Sequence, residues 1–269
     1  MGPDPTSEGG PRRRALITGA SAGIGEAFAR RLARDAYDLV LVARRKERLE
    51  VLAHELSERH GGRAEVQTAD LATPEGLAAV AAGVAESPPD LLVNNAGFGT
   101  VGPLAQQDPE REAREILLNV LAVHQLTRAA LPGILARGRG AIINVSSLAG
   151  EMAAPYSATY AATKAFVTRL SEALHEEVKE SGVRVQALLP GFTRTEFQQE
   201  AGVDVDSVPR LAWMEPEQVV EASLQALERG DALCIPGAGN KLLGMLQALA
   251  PRWMGRRLIG SMQKRRLVE

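Results

Sequence analysis

Tyr160 stands four residues ahead of Lys164 in the segment YSATYAATKAF, residues 156–166. On a helix that spacing is one turn, so the phenol and the ammonium project from one face. A free phenol has a pKa of about 10 and is a poor base at neutral pH. One positive charge at about 4 Å, in an effective dielectric of about 20, stabilises a phenolate by roughly 4 kcal/mol. At about 1.4 kcal/mol per unit, that lowers the phenol pKa by up to about three units. The pair is therefore suited to proton transfer at an oxygen near working pH. Taken alone it is also a pairing that chance produces on many helices. The surrounding sequence has to decide.

A second feature is TGASAGIG, residues 18–25, with Gly19, Gly23 and Gly25 spaced G-x-x-x-G-x-G. Glycines between a strand and a helix allow a tight turn and leave room for a pyrophosphate. They also aim the free N–H groups of the helix N-terminus at it. The spacing departs from the usual G-x-G-x-x-G, and glycines also end strands for structural reasons alone. About twenty residues on, where an NAD site carries an acid for the ribose 2′-hydroxyl, the chain has Ala43, Arg44, Arg45 and Lys46. A guanidinium pairs with a 2′-phosphate through two hydrogen bonds, whereas a carboxylate would repel it. An ordinary basic helix start is the alternative, but cations are disfavoured at a helix N-terminus. The pattern therefore favours NADP(H) over NAD(H), with Arg44 as the leading contact.

These residues need a frame that positions them, and the hydrophobic periodicity supplies one. RRALIT (13–18) reads as a short strand and EAFARRLARD (26–35) as a helix. The unit recurs as YDLVLVA (37–43) before a charged helix over 45–59, AEVQTAD (64–70) before 73–86, and DLLVNNA (90–96) before a long helix. That long helix opens with Asp108 as N-cap and Pro109 at its first position and runs to about Ala136. The strand GAIINVSS, a helix over about 157–180 closed by Gly182, and the strand VRVQALLP (183–190) follow. The helix EPEQVVEASLQAL and a last short strand, ALCIPG, complete the pattern. Such alternation predicts an α/β fold: one domain with a doubly wound, seven-stranded parallel sheet and helices on both faces.

TGASAGIG, NNAG (94–97), Asn119, NVSSLAG and YAATK occur in this order, and with them the chain resembles the short-chain dehydrogenase/reductase family over about residues 12–236. The resemblance implies a Rossmann fold and an oxidoreductase that moves a hydride between NADP(H) and a carbonyl or secondary alcohol. It implies Tyr160 as general acid/base, Lys164 as its electrostatic partner and ribose ligand, Ser147 as holder of the substrate oxygen, and Asn119 as anchor of a proton-relay water. It further places Gly19, Ser21, Gly23, Ile24 and Gly25 at the cofactor, with Asp70 and Asn95 on its adenosine side. PGFTRT, from Pro190 to Thr195, flanks the nicotinamide. Ser147 is chosen over Ser146 because it lies thirteen residues before Tyr160, and its neighbour on an alternating strand faces the other way. A non-catalytic dinucleotide sensor or scaffold on the same fold is the competing reading, and intact Tyr160, Lys164, Ser147 and Asn119 argue against it. A methyltransferase reading of the glycine loop leaves Tyr160, Lys164 and Ser147 unexplained.

Composition narrows the rest. With 31 basic and 33 acidic residues the net charge is −2, which gives no case for a nucleic-acid partner. The single cysteine, Cys234, excludes an intrachain disulfide framework and a zinc site of several thiolates, and points to a reducing, cytoplasmic setting. His54, His60, His124 and His175 are scattered without metal-ligand spacing. Residues 1–11 read as a disordered leader without signal-peptide character, and no apolar run is long enough to span a membrane. Substrate choice is expected in residues 192–213, with 151–158 as the opposite wall, and Phe192, Phe197, Trp213 and Met152 suggest a partly apolar pocket for a ketone or aldehyde. Beyond the last strand, 237–269 form an extension in which Leu242, Met245, Leu246 and Leu249 keep helical spacing. Its basic end, with Arg252, Trp253, Arg256, Arg257, Lys264, Arg265 and Arg266, suits an anionic membrane surface. Packing on its own domain or on another subunit is the preferred reading. The resemblance implies a homo-oligomer, a dimer or tetramer.

Overall fold

In the computed structural model, residues 12–201 and 210–249 are described. The leader 1–11, the basic end 252–266 and residues 202–209 of the substrate connection lie outside the described residues. In β1 (Arg14–Thr18) four successive residues, Ala15 to Thr18, are buried, as expected for a strand covered on both faces. The remaining strands are β2 (Asp38–Ala43), β3 (Ala64–Thr68), β4 (Leu91–Asn94), β5 (Gly140–Val145), β6 (Val183–Leu188) and the two-residue β7 (Leu233–Cys234). All pair in parallel in the order β3-β2-β1-β4-β5-β6-β7. The order reverses beside β1, and this switch point between β1 and β4 opens a crevice at the carboxyl ends of the strands.

Helices α1 (Gly23–Arg34), α2 (Lys46–His60) and α8 (Pro216–Arg229) contribute to the core on one face, and α3 (Pro74–Glu86) and α5 (Val123–Ala136) to the core on the other. Neighbouring strand residues divide between the two cores: Ile17 packs with Phe28, Leu32, Leu41 and Val219, while Leu16 packs with Val40, Val80, Leu92 and Leu126. This is the period-two alternation of a pleated strand. Phe28 is fully buried, and its truncation to alanine would cost about 3–5 kcal/mol.

Three elements differ from the sequence expectation, each for a local reason. Helix α1 begins at Gly23 rather than near residue 26, because the glycine loop itself forms the first turn. The long helix starts as expected, with Asp108 accepting from Glu110 N–H at 3.0 Å, but it is not one α-helix. Between α4 (Pro109–Ile116) and α5, residues Leu117–Ala122 are π-helical around Asn119. Such bulges recur at functional sites, and here the Asn119 side chain is tied to the neighbouring loop. The expected helix over 157–180 is α6 (Ala158–Val178), with Gly182 in the left-handed region at φ 78°. The last strand shrinks to β7, and the extension begins with α9 (Ala238–Leu249). A short helix, α7 (Phe197–Glu200), lies in the connection after β6.

Candidate active site

A cavity of about 520 Å³ lies at the switch point and is lined from the glycine loop, the ends of β2, β4 and β5, and the segment after β6. Its floor at one end is fastened by β1 and β4. Thr18 Oγ1 accepts from the N–H groups of Asn95 and Ala96 at 2.9 and 3.0 Å, and Asn95 Nδ2 donates to the Thr18 and Gly19 carbonyls at 2.9 and 3.3 Å. Asn95 thus lines the cavity, but its amide is spent on the shape of the glycine loop. Gly23 has φ 58°, and a Cβ there would lie 2.8 Å from Thr195 Cγ2. A side chain at that position would fill the gap between the loop and the segment after β6. Gly19, Ser21, Gly23 and Ile24 line the cavity, whereas Gly25 does not and is buried against the Gly19 carbonyl. A helix N-terminus held open by residues without side chains fits a pyrophosphate, so the geometry suits a dinucleotide.

At the mouth, Arg44 is exposed. Its neighbour Arg45 donates to Ser21 Oγ at 3.0 and 3.1 Å and pairs with Glu196 at 2.6 Å. Arg48 holds the other oxygen of Glu196 at 2.6 Å. The hydrogen bonds from Arg45 and Arg48 hold the Glu196 carboxyl below its ordinary pKa. Asp70, also on the cavity wall, accepts from Ala72 N–H at 2.9 Å and pairs with Arg114 at 2.7 Å. Burial works to raise its pKa, but the Ala72 and Arg114 hydrogen bonds and the charges of Arg114 and Arg44 outweigh it and leave a net lowering.

Tyr160, Lys164 and Ser147 meet at the other end of the cavity. Ser147 stands beside Tyr160, whose phenolate it would favour as a donor, and accepts from Ala149 N–H at 3.1 Å. Ser146 is tied to α6, its Oγ donating to the Lys164 carbonyl at 2.7 Å and lying 2.8 Å from Thr168 Oγ1. Lys164, 4% exposed, donates from Nζ to the Val145 carbonyl at 2.9 Å and lies 5.8 Å from the Tyr160 ring centre. This placement corrects the expectation of a lowered Tyr160 pKa. Burial pushes the phenol up to about 12, opposed by the Ser147 hydrogen bond and reinforced by the charge of Glu115. Burial lowers Lys164 to about 8, and Glu115 opposes that shift. Burial, omitted from the simple Coulomb argument, sets the direction of the shift.

Asn119 is fully buried and does not line the cavity. Its Nδ2 donates to the Phe98 carbonyl at 2.8 Å and to Thr163 Oγ1 at 3.1 Å, and its Oδ1 accepts from Phe98 N–H at 3.2 Å. It therefore clasps the loop after β4 to α6. Gly97 makes this approach feasible, since a Cβ there would lie 2.9 Å from Asn119 Oδ1 and 3.3 Å from Lys164 Nζ.

The open side is apolar and aromatic. Phe197 packs at 5.5 Å from Tyr160 between ring centres and Phe192 at 5.5 Å from Trp213, with Arg194 over the Trp213 ring. Phe192 and Phe197 line the cavity, and so do Pro190 and Thr195; Met152 and Trp213 do not, Trp213 packing behind Phe192. Sequence reasoning missed two contributors. Asn240 of α9 reaches the cavity while donating to the Pro236 carbonyl at 2.9 Å, so the extension starts on the domain. Glu115 is 0% exposed. In PEREAREI it reads as one more surface charge, and its place four residues before Asn119 was the signal available.

The family model described as short chain dehydrogenase matches residues 13–206. The very-long-chain 3-oxoacyl-CoA reductase of Anas platyrhynchos is 33% identical over 234 residues, 83% of this chain and 72% of that protein. Among solved structures, a short-chain dehydrogenase from Sphingobium yanoikuyae in complex with NADPH is 41% identical, with a TM-score of 0.80 over 88% of this chain and 94% of that one. The bulky-bulky ketone specific alcohol dehydrogenase from Comamonas testosteroni is 36% identical, with a TM-score of 0.75 over 88% and 93%.

Proposed function

We propose, for a chain that belongs to the short-chain dehydrogenase/reductase family of oxidoreductases, that it moves a hydride between NADP(H) and the carbonyl or secondary alcohol of a bulky apolar substrate. The observation that carries this reading is the convergence of Tyr160, Ser147 and Lys164 in one cavity with a dinucleotide-shaped glycine loop. Bound NADPH supplies the hydride. Gly19, Ser21, Gly23 and Ile24 hold its pyrophosphate side, Asp70 and Asn95 its adenosine side, and Pro190 to Thr195 flank the nicotinamide.

Tyr160, protonated at neutral pH, donates its proton to the carbonyl oxygen as negative charge develops there. Ser147 donates a hydrogen bond to the same oxygen. Lys164 stabilises the phenolate left behind and holds the ribose hydroxyls. Asn119 keeps Phe98 and α6 in register and anchors the water through which the proton is replaced. Arg44 and Arg45, with no acid at the end of β2, support NADP(H), and the NADPH complex of the Sphingobium relative agrees with that preference. Phe192 and Phe197 offer apolar area in the cavity, which fits the ketone preference in the name of the Comamonas relative. Exposed Ile116, Leu121 and Phe166 on the two longest helical stretches suit a subunit interface, hence a homo-oligomer, and the lone buried Cys234 suits the cytoplasm.

The test is NADPH consumption against bulky ketones, aldehydes and quinones, with NADH in parallel. Consumption with at least one bulky ketone, faster with NADPH than with NADH, is expected. Tight NADPH binding with no consumption across the panel would favour the sensor reading.

A further inference from the structure

Glu115 sits on α4 with no exposed surface, one turn before Asn119. A buried carboxylate needs partners, and this one has a single side-chain partner. Thr100 Oγ1 lies 2.8 Å from Glu115 Oε2, and Oε1 has no hydrogen-bond partner among the described residues. The Thr100 hydroxyl also contacts Glu112 Oε1, while the Thr159 hydroxyl contacts Glu112 Oε2. A threonine hydroxyl carries one hydrogen. It cannot donate to both acids at once. Glu112 also receives the Thr159 hydroxyl, and the shared Thr100 hydroxyl leaves an ionised Glu115 with at most one side-chain hydrogen bond.

The electrostatics agree with that count. Burial pushes the Glu115 carboxyl up to about 7; the Thr100 hydrogen bond opposes, the charge of Glu112 adds, and Lys164 opposes. The groups facing Glu115 are Glu112 on its own helix, Lys164 and Tyr160 on α6, and the Thr100 hydroxyl from the loop after β4.

We propose that Glu115 is a positioning residue that holds a proton behind the Tyr160–Lys164 pair and loses it to solvent as pH rises, so that its ionisation sets how readily Tyr160 gives up a proton. An ionised Glu115 raises both Tyr160 and Lys164. A phenol that holds its proton more firmly is a weaker acid, so reduction slows as pH rises through the Glu115 titration. The effect on turnover rests on the reductase reading, but the proton on Glu115 does not.

Two measurements on the full chain separate these claims. Infrared titration without substrate should show a protonated carboxyl band that is lost as pH rises through about 7 and is absent in Glu115→Gln. The pH profile of kcat for NADPH-dependent ketone reduction should fall across the same range in the parent and lose that step in Glu115→Gln. Thr100→Val keeps Glu115 in place and removes the hydroxyl that favours its ionised form, so the step should move to higher pH. That variant serves even where Glu115→Gln fails to fold. If infrared and rate profiles of the parent match those of Glu115→Gln, or if Thr100→Val leaves the step unmoved, the proposal is overturned and the reductase reading stands. If no ketone is turned over while the infrared band titrates as expected, the reductase reading fails and the catalytic half of the proposal falls with it.

Discussion

At the glycine-loop end of the cleft, position is set by backbone and small residues: Gly23 leaves the space beside Thr195, and the Asn95 amide grips the Thr18 and Gly19 carbonyls. At the β5–α6 end, position is set by ionisable and polar side chains taken out of water, with Lys164 on the Val145 carbonyl, Tyr160 and Ser147 on the same cavity wall, and Glu115 behind them. The first end works by leaving room, and the lowered carboxyls beside it, Glu196 and Asp70, follow from hydrogen bonds and ion pairs with their neighbours. The second works by desolvation, and there Glu115, Tyr160 and Lys164 all move from their usual pKa values. A substitution should therefore affect binding at one end and proton transfer at the other.

The sharpest separation is expected from Tyr160→Phe, which removes the proton donor and keeps the ring on Phe197. Turnover should fall about 10²–10⁴-fold, the usual worth of a general acid, with NADPH affinity measured by fluorescence nearly unchanged. Retention of more than about a tenth of the parental rate would remove Tyr160 from the acid/base role.

A smaller effect should separate the ends by stability. Glu115 is raised in the folded chain from 4.5 to about 7. Its stabilisation is thus fully present below the lower value and is lost as pH rises through the upper one, a loss on the order of 3 kcal/mol. Denaturant unfolding of Glu115→Gln should lack this decline. Equal pH dependence in the two proteins would show that Glu115 titrates normally.

At the mouth, Arg44→Asp should shift preference from NADPH toward NADH by about 10–100-fold, the worth of a charge-assisted hydrogen bond. If preference holds until Arg45 is replaced, the guanidinium now paired with Glu196 reads the phosphate instead. The smallest effect is expected from Gly23→Ala. A left-handed non-glycine residue costs about 1–2 kcal/mol, so NADPH binding should weaken by roughly tenfold while the pH profile of turnover keeps its shape. A changed profile would mean that the two ends are coupled.

The same contrast explains what could be read in advance. Strand and helix order was legible because buried parallel strands such as Leu39–Val42 are continuous apolar runs, and the glycine loop was legible because Gly23 has a backbone requirement. Tyr160, Lys164 and Ser147 were legible as types and spacings. Their proton affinities were not, because burial depends on what covers α6. Nor did the periodicity of 109–136 betray the π segment at Asn119, since one extra residue in a turn leaves an apolar pattern nearly intact. Glu115 looked like a surface acid for a related reason. Its burial comes from Thr100 and α6, which are distant in sequence or supplied by the fold.

The most direct test of the central claim uses NADPH carrying deuterium at the transferable position of the nicotinamide, with a diaryl ketone as acceptor and mass analysis of the product. The account predicts an alcohol with deuterium on the carbinol carbon, formed by the parent and not detectably by Tyr160→Phe over the same time. An alcohol formed without deuterium, or formed equally by both proteins, would contradict it.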